Sequence, residues 1–418
     1  MRSQRNMLRQ SVPLSRLFSV VNGSTPKSNV REYWDGHIVW ITPEDLSNRK
    51  DVVVTSARRQ LTEAGYKSCG TAFVPPGSII LSTRAPIGNV ALAGTMLCTN
   101  QGCKALVPIA DEVVPRFFLY QLQSQKSALN ALGSGTTFPE LSSSELRRFR
   151  LLMPSKHDQL AITEFLDRET TQAERIVAKY RPLMELLEEK GVALTQQAVT
   201  KGLDPDVPMG DTGIDWIGQM PAHWDLVPLR HLVSCLDGSR RPLNAEQRGE
   251  MPGALPYWGA NGIVDTVSNW LFDEELILLG EDGAPFFERG RNVAFLVNEK
   301  VWVNNHIHVL RPRPPVHAAF LAHVLNCVNY GAFIEGSTRD KLTQGSMNAI
   351  PIPLPPMHEQ RNISDHIDQR AAQLSKLMDM VRRSVSLTKE RLSAMISSAV
   401  TGQIDVPTCK SSELGGVA

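Results

Sequence analysis

The second half of this chain repeats its first half. When the sequence is shifted by 201 positions, residues 157–204 align without a gap on residues 358–405, and 13 of the 48 pairs are identical. The same shift brings four upstream residues onto identical partners: Gly135, Thr137, Leu141 and Pro154 fall on Gly336, Thr338, Leu342 and Pro355. A duplicated chain is expected to fold as a pseudo-dimer with two similar surfaces, which predicts a target made of two parts.

The composition is that of a globular protein with more than one domain. The chain has 418 residues, of which 42% are apolar and 21% are charged, and this length allows two or three domains. We expect no membrane association, because no apolar run approaches the roughly 18 residues of a membrane span. The six cysteines form no CxxC pair, which favours a reducing cytoplasm.

Charge is distributed unevenly, although the net charge is only +1. Residues 1–154 hold 18 Lys and Arg against 10 Asp and Glu, a balance of +8. Residues 206–356 hold 11 against 17, a balance of −6. The first half is therefore basic enough to attract phosphates. A polyanion that meets the second half must face a local basic patch or the charge of a partner.

Four segments alternate along the chain, two rich in strand signals and two helical. Residues 34–41 predict a hairpin with an Asp-Gly turn, and residues 258–263 predict an Asn-Gly turn in the second strand-rich segment. Between the halves, residues 201–223 are rich in Gly, Pro and Asp and predict an extended linker. We assign 11–154 and 223–355 to the strand-rich domains, 155–201 and 356–403 to spacer helices, 202–222 to the linker and 404–418 to a flexible tail.

Both helical segments carry apolar residues at three-four spacing over some forty residues, about 60 Å of helix at 1.5 Å per residue. That pattern is typical of a coiled-coil seam. We therefore predict an α+β fold with a pseudo-twofold internal repeat, in which two long helices packed as an antiparallel coiled coil join two strand-rich domains. Pro182 predicts a bend or break near Arg181, because an interior proline costs a helix about 3 kcal/mol.

Sequence signals for catalysis are absent. The chain has no GxxxxGK(S/T) phosphate loop, no GxGxxG fingerprint and no Asn/Asp-Pro-Pro-Tyr/Phe motif of amino-methyltransferases. His306 and His308 lie in an alternating stretch that is typical of a half-exposed strand rather than a metal site. Glu281 and Asp282 are interpreted as a solvated turn at a strand end. We predict no catalytic residue and no metal ligand.

Several motifs recur in a particular order along the chain. The helical segments open with His-Asp-Gln and His-Glu-Gln, and both close with Ala-Val-Thr. The most distinctive stretches are the linker at 200–224 and two apolar strands at 78–88 and 276–285. A Gly-Ser-Thr-Arg sequence at 336–339 and a proline-rich run at 351–360 follow. In this order the chain resembles the specificity subunit of a type I restriction–modification system, and the resemblance covers about residues 11–405.

The resemblance implies a non-catalytic reader of double-stranded DNA. Each strand-rich segment would be a target recognition domain that reads one half of a split, asymmetric sequence. The helices would space these domains and dock two modification subunits, which bring S-adenosylmethionine and adenine methylation. Restriction subunits would add ATP- and Mg-dependent translocation and cleavage, and this chain itself would hold no cofactor. Two such readers on a rigid spacer would contact half-sites about 34 Å apart, one turn of DNA.

Side chains able to read bases or hold phosphates form the candidate DNA-binding set. In the first domain the set comprises Arg58, Arg59, Lys67, Ser82, Thr83, Arg84, Asn100, Gln101, Thr136 and Thr137. In the second domain it comprises Arg240, Arg241, Asn261, Asn304, Asn305, His306, Ser337, Thr338, Arg339 and Lys341. Alternative interpretations stay open: residues 82–84 and 336–338 as scaffold, Asn261 as the left-handed residue of a hairpin turn, Arg58 and Arg59 as a solvated face, and His306 as a packed side chain.

Two other functions stay open beside DNA recognition. One is an assembly scaffold that has lost DNA readout in one or both domains, and the other is a nuclease with an unrecognised site at Glu281 and Asp282. Phosphate contacts supply much of the affinity of a DNA-binding protein, and the second half of this chain is acidic. We therefore expect the isolated chain to bind DNA weakly and the assembled complex to bind it well.

Overall fold

The computed structural model of the chain describes residues 10–47, 51–84, 86–134, 139–335, 340–404 and 406. The chain divides into two compact units, the first from residues 1–178 with 384–418 and the second from residues 179–383. The two units are divided inside the two long helices, so the bounds of the six segments assigned from the sequence stay predictions. Apart from residues 404 and 406, the tail assigned to 404–418 lies outside the described residues.

The first unit is rich in strands before its long helix begins. Its strands are β1 Ser11–Pro13, β2 Phe18–Asn22, β3 Trp34–Ile41, β4 Val53–Val54, β5 Gln60–Leu61, β6 Ile79–Ser82, β7 Val90–Ala93, β8 Cys98–Thr99, β9 Cys103–Pro108 and β10 Arg150–Leu152. Its short helices are α1 Pro43–Ser47, α2 Glu63–Lys67, α3 Pro115–Ser124, α4 Lys126–Ala131 and α5 Ser143–Arg148. The first long helix, α6, runs over Lys156–Lys201.

A central sheet organises the first unit, with its described strands in the order β2-β9-β6-β7-β4. The apolar run of β6 is fully buried because both faces of this sheet are covered. Ile79 shares a core with Phe117 of α3 on one face, whereas Ile80 shares a core with Ile41 of β3 on the other. Strand β3 belongs to a smaller sheet in the order β5-β3-β8, and β1 pairs with β10 where the chain enters and leaves the domain.

The second unit repeats this plan. Its strands are β11 Met209–Asp211, β12 Gln219–Pro221, β13 Asp225–Pro228, β14 Val233–Cys235, β15 Leu255–Gly259, β16 Gly262–Val267, β17 Phe272–Asp273, β18 Leu276–Gly280, β19 Ala294–Val297, β20 Lys300–Val303, β21 Ile307–Pro312, β22 Ile334–Glu335, β23 Lys341–Leu342 and β24 Pro351–Leu354. Its helices are α7 Ala245–Gly249, α8 Ala318–Leu325, α9 Gln344–Asn348 and the second long helix, α10 Met357–Val400.

Strand order shows that the repeat extends beyond the helices. The order β14-β21-β18-β19 in the second unit reproduces the order β2-β9-β6-β7 in the first, and β13 pairs with β24 as β1 pairs with β10. The buried strand alternates in the same way, because Ile277 faces one core and Leu278 faces another. The two strand-rich domains are therefore versions of one fold despite their divergent sequences.

The two long helices pack with opposite directions, as predicted. In the second unit, Val199 near the end of α6 shares a core with Ile363 near the start of α10. In the first unit, Ile162 near the start of α6 shares a core with Val400 at the end of α10. The predicted α+β fold with two antiparallel long helices is confirmed. No helix in the described part of the chain is both long enough and apolar enough to cross a membrane.

Of the bend or break predicted near Arg181, the break is not found, and the bend stays a prediction. Helix α6 runs through Pro182 as one element of 46 residues. A proline removes one backbone N–H donor and crowds the preceding turn. In a helix of this length, the hydrogen bonds and side-chain packing of the flanking turns outweigh that local cost.

The Asp-Gly hairpin predicted at residues 34–41 was also wrong. These residues form the single strand β3, whose register against β5 shifts between Trp34 and Ile38. Asp35 has a φ of 60°, and a Cβ on Gly36 would lie 2.3 Å from the carbonyl oxygen of Leu61. The dipeptide therefore makes a bulge that brings β3 close to β5, because glycine alone permits that approach.

The second predicted turn is confirmed with one correction. Strands β15 and β16 pair as an antiparallel hairpin in which Gly259 is opposite Gly262. The left-handed residue is Gly262, with a φ of 115°, and not Asn261. Glycine adopts this conformation without the steric cost that a side chain adds.

The segment 201–223 is folded rather than extended. Strands β11 and β12 form a hairpin within it, and Trp216 and Ile217 between them are buried in the core of the second unit. Trp224, just after the hairpin, donates an indole hydrogen bond of 3.0 Å to Glu359 of α10. Large aromatic side chains bury enough apolar area to fold a Gly- and Pro-rich segment.

Candidate nucleic-acid interface

Three segments of the first unit meet at one point, which we call the first junction and define by Thr83, Gly102 and Leu141. Thr83 follows β6, Gly102 lies in the turn between β8 and β9, and Leu141 follows Glu140. The backbone N–H of Thr83 donates to the carbonyl of Gly102 at 2.8 Å. The N–H of Leu141 donates to the carbonyl of Thr83 at 2.9 Å.

The second unit has the same arrangement at a second junction, defined by Glu281, His306 and Leu342. The N–H of Glu281 donates to the carbonyl of His306 at 3.0 Å, and the N–H of Leu342 donates to the carbonyl of Glu281 at 2.8 Å. A strand end, a turn and the segment of Leu141 or Leu342 thus converge in both units. Because the backbone contacts match, residues of one junction can be compared with residues of the other.

An asparagine closes the turn at each junction. The side-chain oxygen of Asn100 accepts from the N–H of Gly102 at 2.9 Å, and that of Asn304 accepts from the N–H of His306 at 2.8 Å. These are Asx turns, in which the asparagine side chain replaces a backbone acceptor. Asn100 and Asn304, both candidates for base reading, are therefore used by the fold, and the exposed residues at the turn apex are Gln101 and Asn305.

Cationic and anionic side chains are paired at the first junction. The ammonium of Lys104 is buried and lies 4.0 Å from a carboxylate oxygen of Glu140, and the guanidinium of the half-exposed Arg84 lies 3.0 Å from the other. Burial lowers the pKa of Lys104, and the charge of Glu140 opposes that shift. Glu140 precedes Leu141, so these cations hold Leu141 against the sheet.

The second junction contains a buried ionic network of Asp237, Arg240, Glu281 and His308, which we call the buried network. His308 is 1% exposed and its Nδ1 lies 2.6 Å from Asp237. A guanidinium nitrogen of Arg240 lies 3.5 Å from Asp237, and another bonds to Glu281. Two carboxylates thus share a guanidinium and an imidazole.

Further hydrogen bonds complete the buried network. Arg240 donates to the carbonyl of Ile307 at 2.9 Å, and Nε2 of His308 lies 2.9 Å from the carbonyl of Leu342. Burial by itself would raise the pKa of Asp237, but the hydrogen bond from His308 and the charge of Arg240 hold that pKa below its ordinary value. The network therefore joins β21 to β23.

Three side chains of types that can bind a metal ion lie together at the buried network. The ligand atoms of Cys235, Asp237 and His308 lie within 4.8 Å of one another. Arg240 already supplies a positive charge to the same carboxylate, so we assign the group a structural role. Glu281 is likewise neutralised, by Arg240 and by Lys341 at 3.5 Å, and this does not favour a nuclease site there.

The two candidate hydroxyls at the end of β6 point into the protein. Ser82 and Thr83 are fully buried, and their hydroxyls donate to the carbonyls of Pro86 at 2.6 Å and Gly102 at 3.3 Å. Their side chains do not reach solvent, so the scaffold interpretation holds for both. Arg84 is the first residue after β6 whose side chain is open to a ligand.

The other described candidates of the first unit, Arg58, Arg59 and Lys67, are exposed. Arg58 pairs with Glu44, and the guanidinium carbon of Arg59 stacks 3.4 Å above the ring of Trp34. A stacked guanidinium keeps its edge donors free for a phosphate or a base. Lys67 lies exposed at the end of α2.

In the second unit, Arg240 and Arg241 differ although they are neighbours. Arg240 is only 15% exposed and its guanidinium is paired within the buried network, which does not favour a DNA contact, whereas Arg241 is exposed. Asn261 is exposed and donates to the carbonyl of Gly283 at 3.2 Å, which places it beside the second junction. His306 is half-exposed rather than packed, and Lys341 is exposed.

Five candidates lie outside the described residues: Thr136, Thr137, Ser337, Thr338 and Arg339. Leu141 and Leu342, which come after the undescribed stretches 135–138 and 336–339, lie in the first and second junctions. Sequence reasoning missed Lys104, Glu140 and Asp237, which tie these two residues to the sheet. A lysine inside the apolar run of β9 was the signal that could have revealed the first pair.

Comparison with known proteins gives consistent matches. A family model described as type I restriction modification DNA specificity domain matches residues 9–176 and again residues 221–378. The MjaIX type I restriction enzyme specificity subunit of Methanocaldococcus jannaschii is 39% identical over 149 residues, which are 35% of this chain and 34% of that protein. The EcoprrI specificity subunit of Escherichia coli is 23% identical over 369 residues, 86% of each chain.

A solved structure supports the fold. This structure is described as the structural basis underlying complex assembly and conformational transition of the type I R-M system. One of its chains superposes on this chain with a TM-score of 0.68 at 17% identity, and the match covers 94% of this chain and 98% of that one. With the first of the relatives above, by contrast, the match spans only about a third of that protein's length. The doubled family match falls on the two halves of the internal repeat.

Proposed function

This chain belongs to the family of type I restriction–modification DNA specificity subunits, and from that membership we propose that it reads a bipartite, asymmetric sequence in double-stranded DNA. Such a subunit is not the catalytic part of its system. The proposed division of labour gives methylation, with S-adenosylmethionine, to two modification subunits. It gives ATP- and Mg-dependent translocation and cleavage to restriction subunits.

The observation that carries the proposal is the pair of junctions. Their backbone hydrogen bonds match, but their exposed residues differ: Arg84 and Gln101 mark the first, and Asn261, Asn305 and Lys341 mark the second. A repeated scaffold with different exposed donors and acceptors is what two different half-sites require, because bases are distinguished by hydrogen bonds to their edges.

Exposed apolar side chains on the long helices support the docking of two alike partners. In the first unit, Ile176 of α6 is 38% exposed and Leu387 of α10 is 54% exposed. In the second unit, the equivalent pair is Leu377 of α10 at 46% and Leu186 of α6 at 59%. The repeat thus places the same two apolar side chains in solvent twice, as expected for two equivalent protein interfaces.

Replacing Leu186 and Leu387 by aspartate is expected to prevent assembly with a co-expressed modification subunit, because a charge would enter the centre of each apolar contact. Loss of one anchor at such an interface weakens binding by at least about 2 kcal/mol, roughly 30-fold. Co-purification and analytical ultracentrifugation measure this. Leu203→Asp, an exposed leucine outside the helices, is the matched control. Undiminished assembly of the double variant would contradict the docking proposal.

The charge distribution leads to the experiment that tests DNA recognition. Alone in physiological salt, the chain is expected to bind a duplex with the weak, sequence-independent affinity of roughly 10⁻⁴–10⁻⁶ M. With modification subunits bound, site-specific affinity of roughly 10⁻⁸–10⁻¹¹ M is expected. Fluorescence anisotropy across a salt series measures both. Tight, site-specific binding by the chain alone would refute the dependence on partners, and no sequence preference in the assembled complex would refute the function.

A further inference from the structure

We propose that Gln101 and Asn305 are equivalent base-reading residues and that each recognises an adenine in its own half-site. This inference rests on the proposed function and adds to it the two positions and the base. Each residue is the exposed apex of its Asx turn, one position after the asparagine that closes the turn. The two turns are equivalent because they contact the same strand end in each unit.

The neighbours of each apex are already used by the fold. In the first turn, Asn100 is bonded within the turn, and a Cβ on Gly102 would lie 2.8 Å from the side chain of Pro43. In the second turn, Asn304 is bonded in the same way and the ring of His306 lies 3.2 Å from Asp282. The apex side chain is therefore the group that each turn presents to a ligand.

Each apex residue is held by a hydrogen bond from a neighbouring residue of the fold. The hydroxyl of Thr25 bonds to the side-chain oxygen of Gln101, which leaves the NH₂ group and a second lone pair for a base. The backbone carbonyl of Asn305 accepts a hydrogen bond of 3.4 Å from Arg240, so the buried network reaches the second apex. A side chain on a fixed turn loses less conformational entropy when it binds.

The chemistry of the two side chains selects the base. A primary amide presents one acceptor and two donors in a plane, and adenine presents N7 as acceptor and its N6 amino group as donor in the major groove. Glutamine and asparagine therefore pair bidentately with adenine, whereas guanine presents two acceptors there. Both apex residues carry amides, although the other exposed residues of the two domains differ. This shared chemistry points to an A·T pair in each half-site.

The test uses the chain assembled with modification subunits and a duplex that carries its methylated motif. Each adenine of the motif is replaced in turn by 7-deazaadenine, which lacks the N7 acceptor. For the wild type, one position in each half-site should weaken binding severalfold. A whole bidentate pair is worth roughly 5- to 150-fold, about 1–3 kcal/mol, and only its N7 contact is lost. In Gln101→Ala one of these two losses should disappear, and in Asn305→Ala the other should disappear.

Each variant is the folding control for the other, because the undisturbed half-site must still be read. Gln101→Glu gives a second readout: without the NH₂ donor, the carboxylate should favour a cytosine, whose N4 amino group donates. The inference fails if either alanine variant responds to every 7-deazaadenine duplex as the wild type does. If the wild-type complex shows no sequence preference, the proposed function has failed instead, so the two failures are distinguishable.

Discussion

Replacing Arg240 by methionine is expected to lower the free energy of unfolding by about 3–5 kcal/mol, the usual cost of leaving a buried charge without its partner. The guanidinium neutralises both Asp237 and Glu281, and all three side chains are at most 15% exposed. Methionine fills similar volume, so the loss would come from the two carboxylates, which would lose the guanidinium and keep His308 beside Asp237 and the exposed Lys341 beside Glu281. Chemical denaturation followed by circular dichroism measures it.

Arg241→Met is the matched control for this experiment. Its side chain is exposed and lies next to Arg240 in sequence, so the substitution should change stability by no more than about 0.5 kcal/mol. Equal stability of the two variants would contradict the structural role of the buried network. Arg241→Met should instead weaken DNA binding by the assembled complex.

A second large effect is expected from the glutamines that begin the long helices. Gln159 is fully buried, its side-chain oxygen accepts from Val114 at 2.9 Å, and its NH₂ group donates to Glu112 at 3.1 Å and Pro154 at 2.9 Å. Gln159→Ala leaves these backbone groups without partners, so it should destabilise the protein by about 3 kcal/mol, given 1–3 kcal/mol for each buried polar group.

Gln360 makes the equivalent contacts in the second unit, with His317 at 2.8 Å, Pro315 at 3.1 Å and Pro355 at 2.9 Å. Gln360→Ala should therefore cost about as much as Gln159→Ala. The exposed Gln172 and Gln369 on the same helices supply alanine controls that should be nearly neutral. A thermal unfolding series compares the four variants, and a loss in the controls as large as in the buried pair would argue against these anchors.

The sequence reveals the helices and the repeat because those signals are local and periodic. The three-four spacing over residues 157–204 recurs at 358–405, and such a stripe has few solutions other than a partner helix. Predictions from neighbouring residues were wrong where contact with a residue distant in sequence determines the backbone conformation. The Asp35-Gly36 dipeptide forms a bulge because Gly36 lies against Leu61, and no pattern within residues 34–41 records that contact.

The site was harder to predict than the fold. Residue type treats Arg240 and Arg241 alike. Burial distinguishes them, because Arg240 pairs with Glu281, which lies 41 positions further along the chain, directly after β18. Ser82 and Thr83 have the right hydroxyls for phosphate, but β6 ends inside the core. Asn100 and Asn304 have amides suited to reading bases, but each amide oxygen closes an Asx turn, which was not predicted from the sequence.

Methylome sequencing of the host, with and without this gene, tests whether the chain directs methylation to a bipartite site. If it does, a motif of two separated half-sites that carry N6-methyladenine is present in the wild type and lost on deletion of the gene. The motif should return with the intact gene. In a Gln101→Ala complement, one half-site alone should become degenerate. An unchanged set of methylated adenines after deletion of the gene, in a host that expresses the modification subunit, would contradict the account.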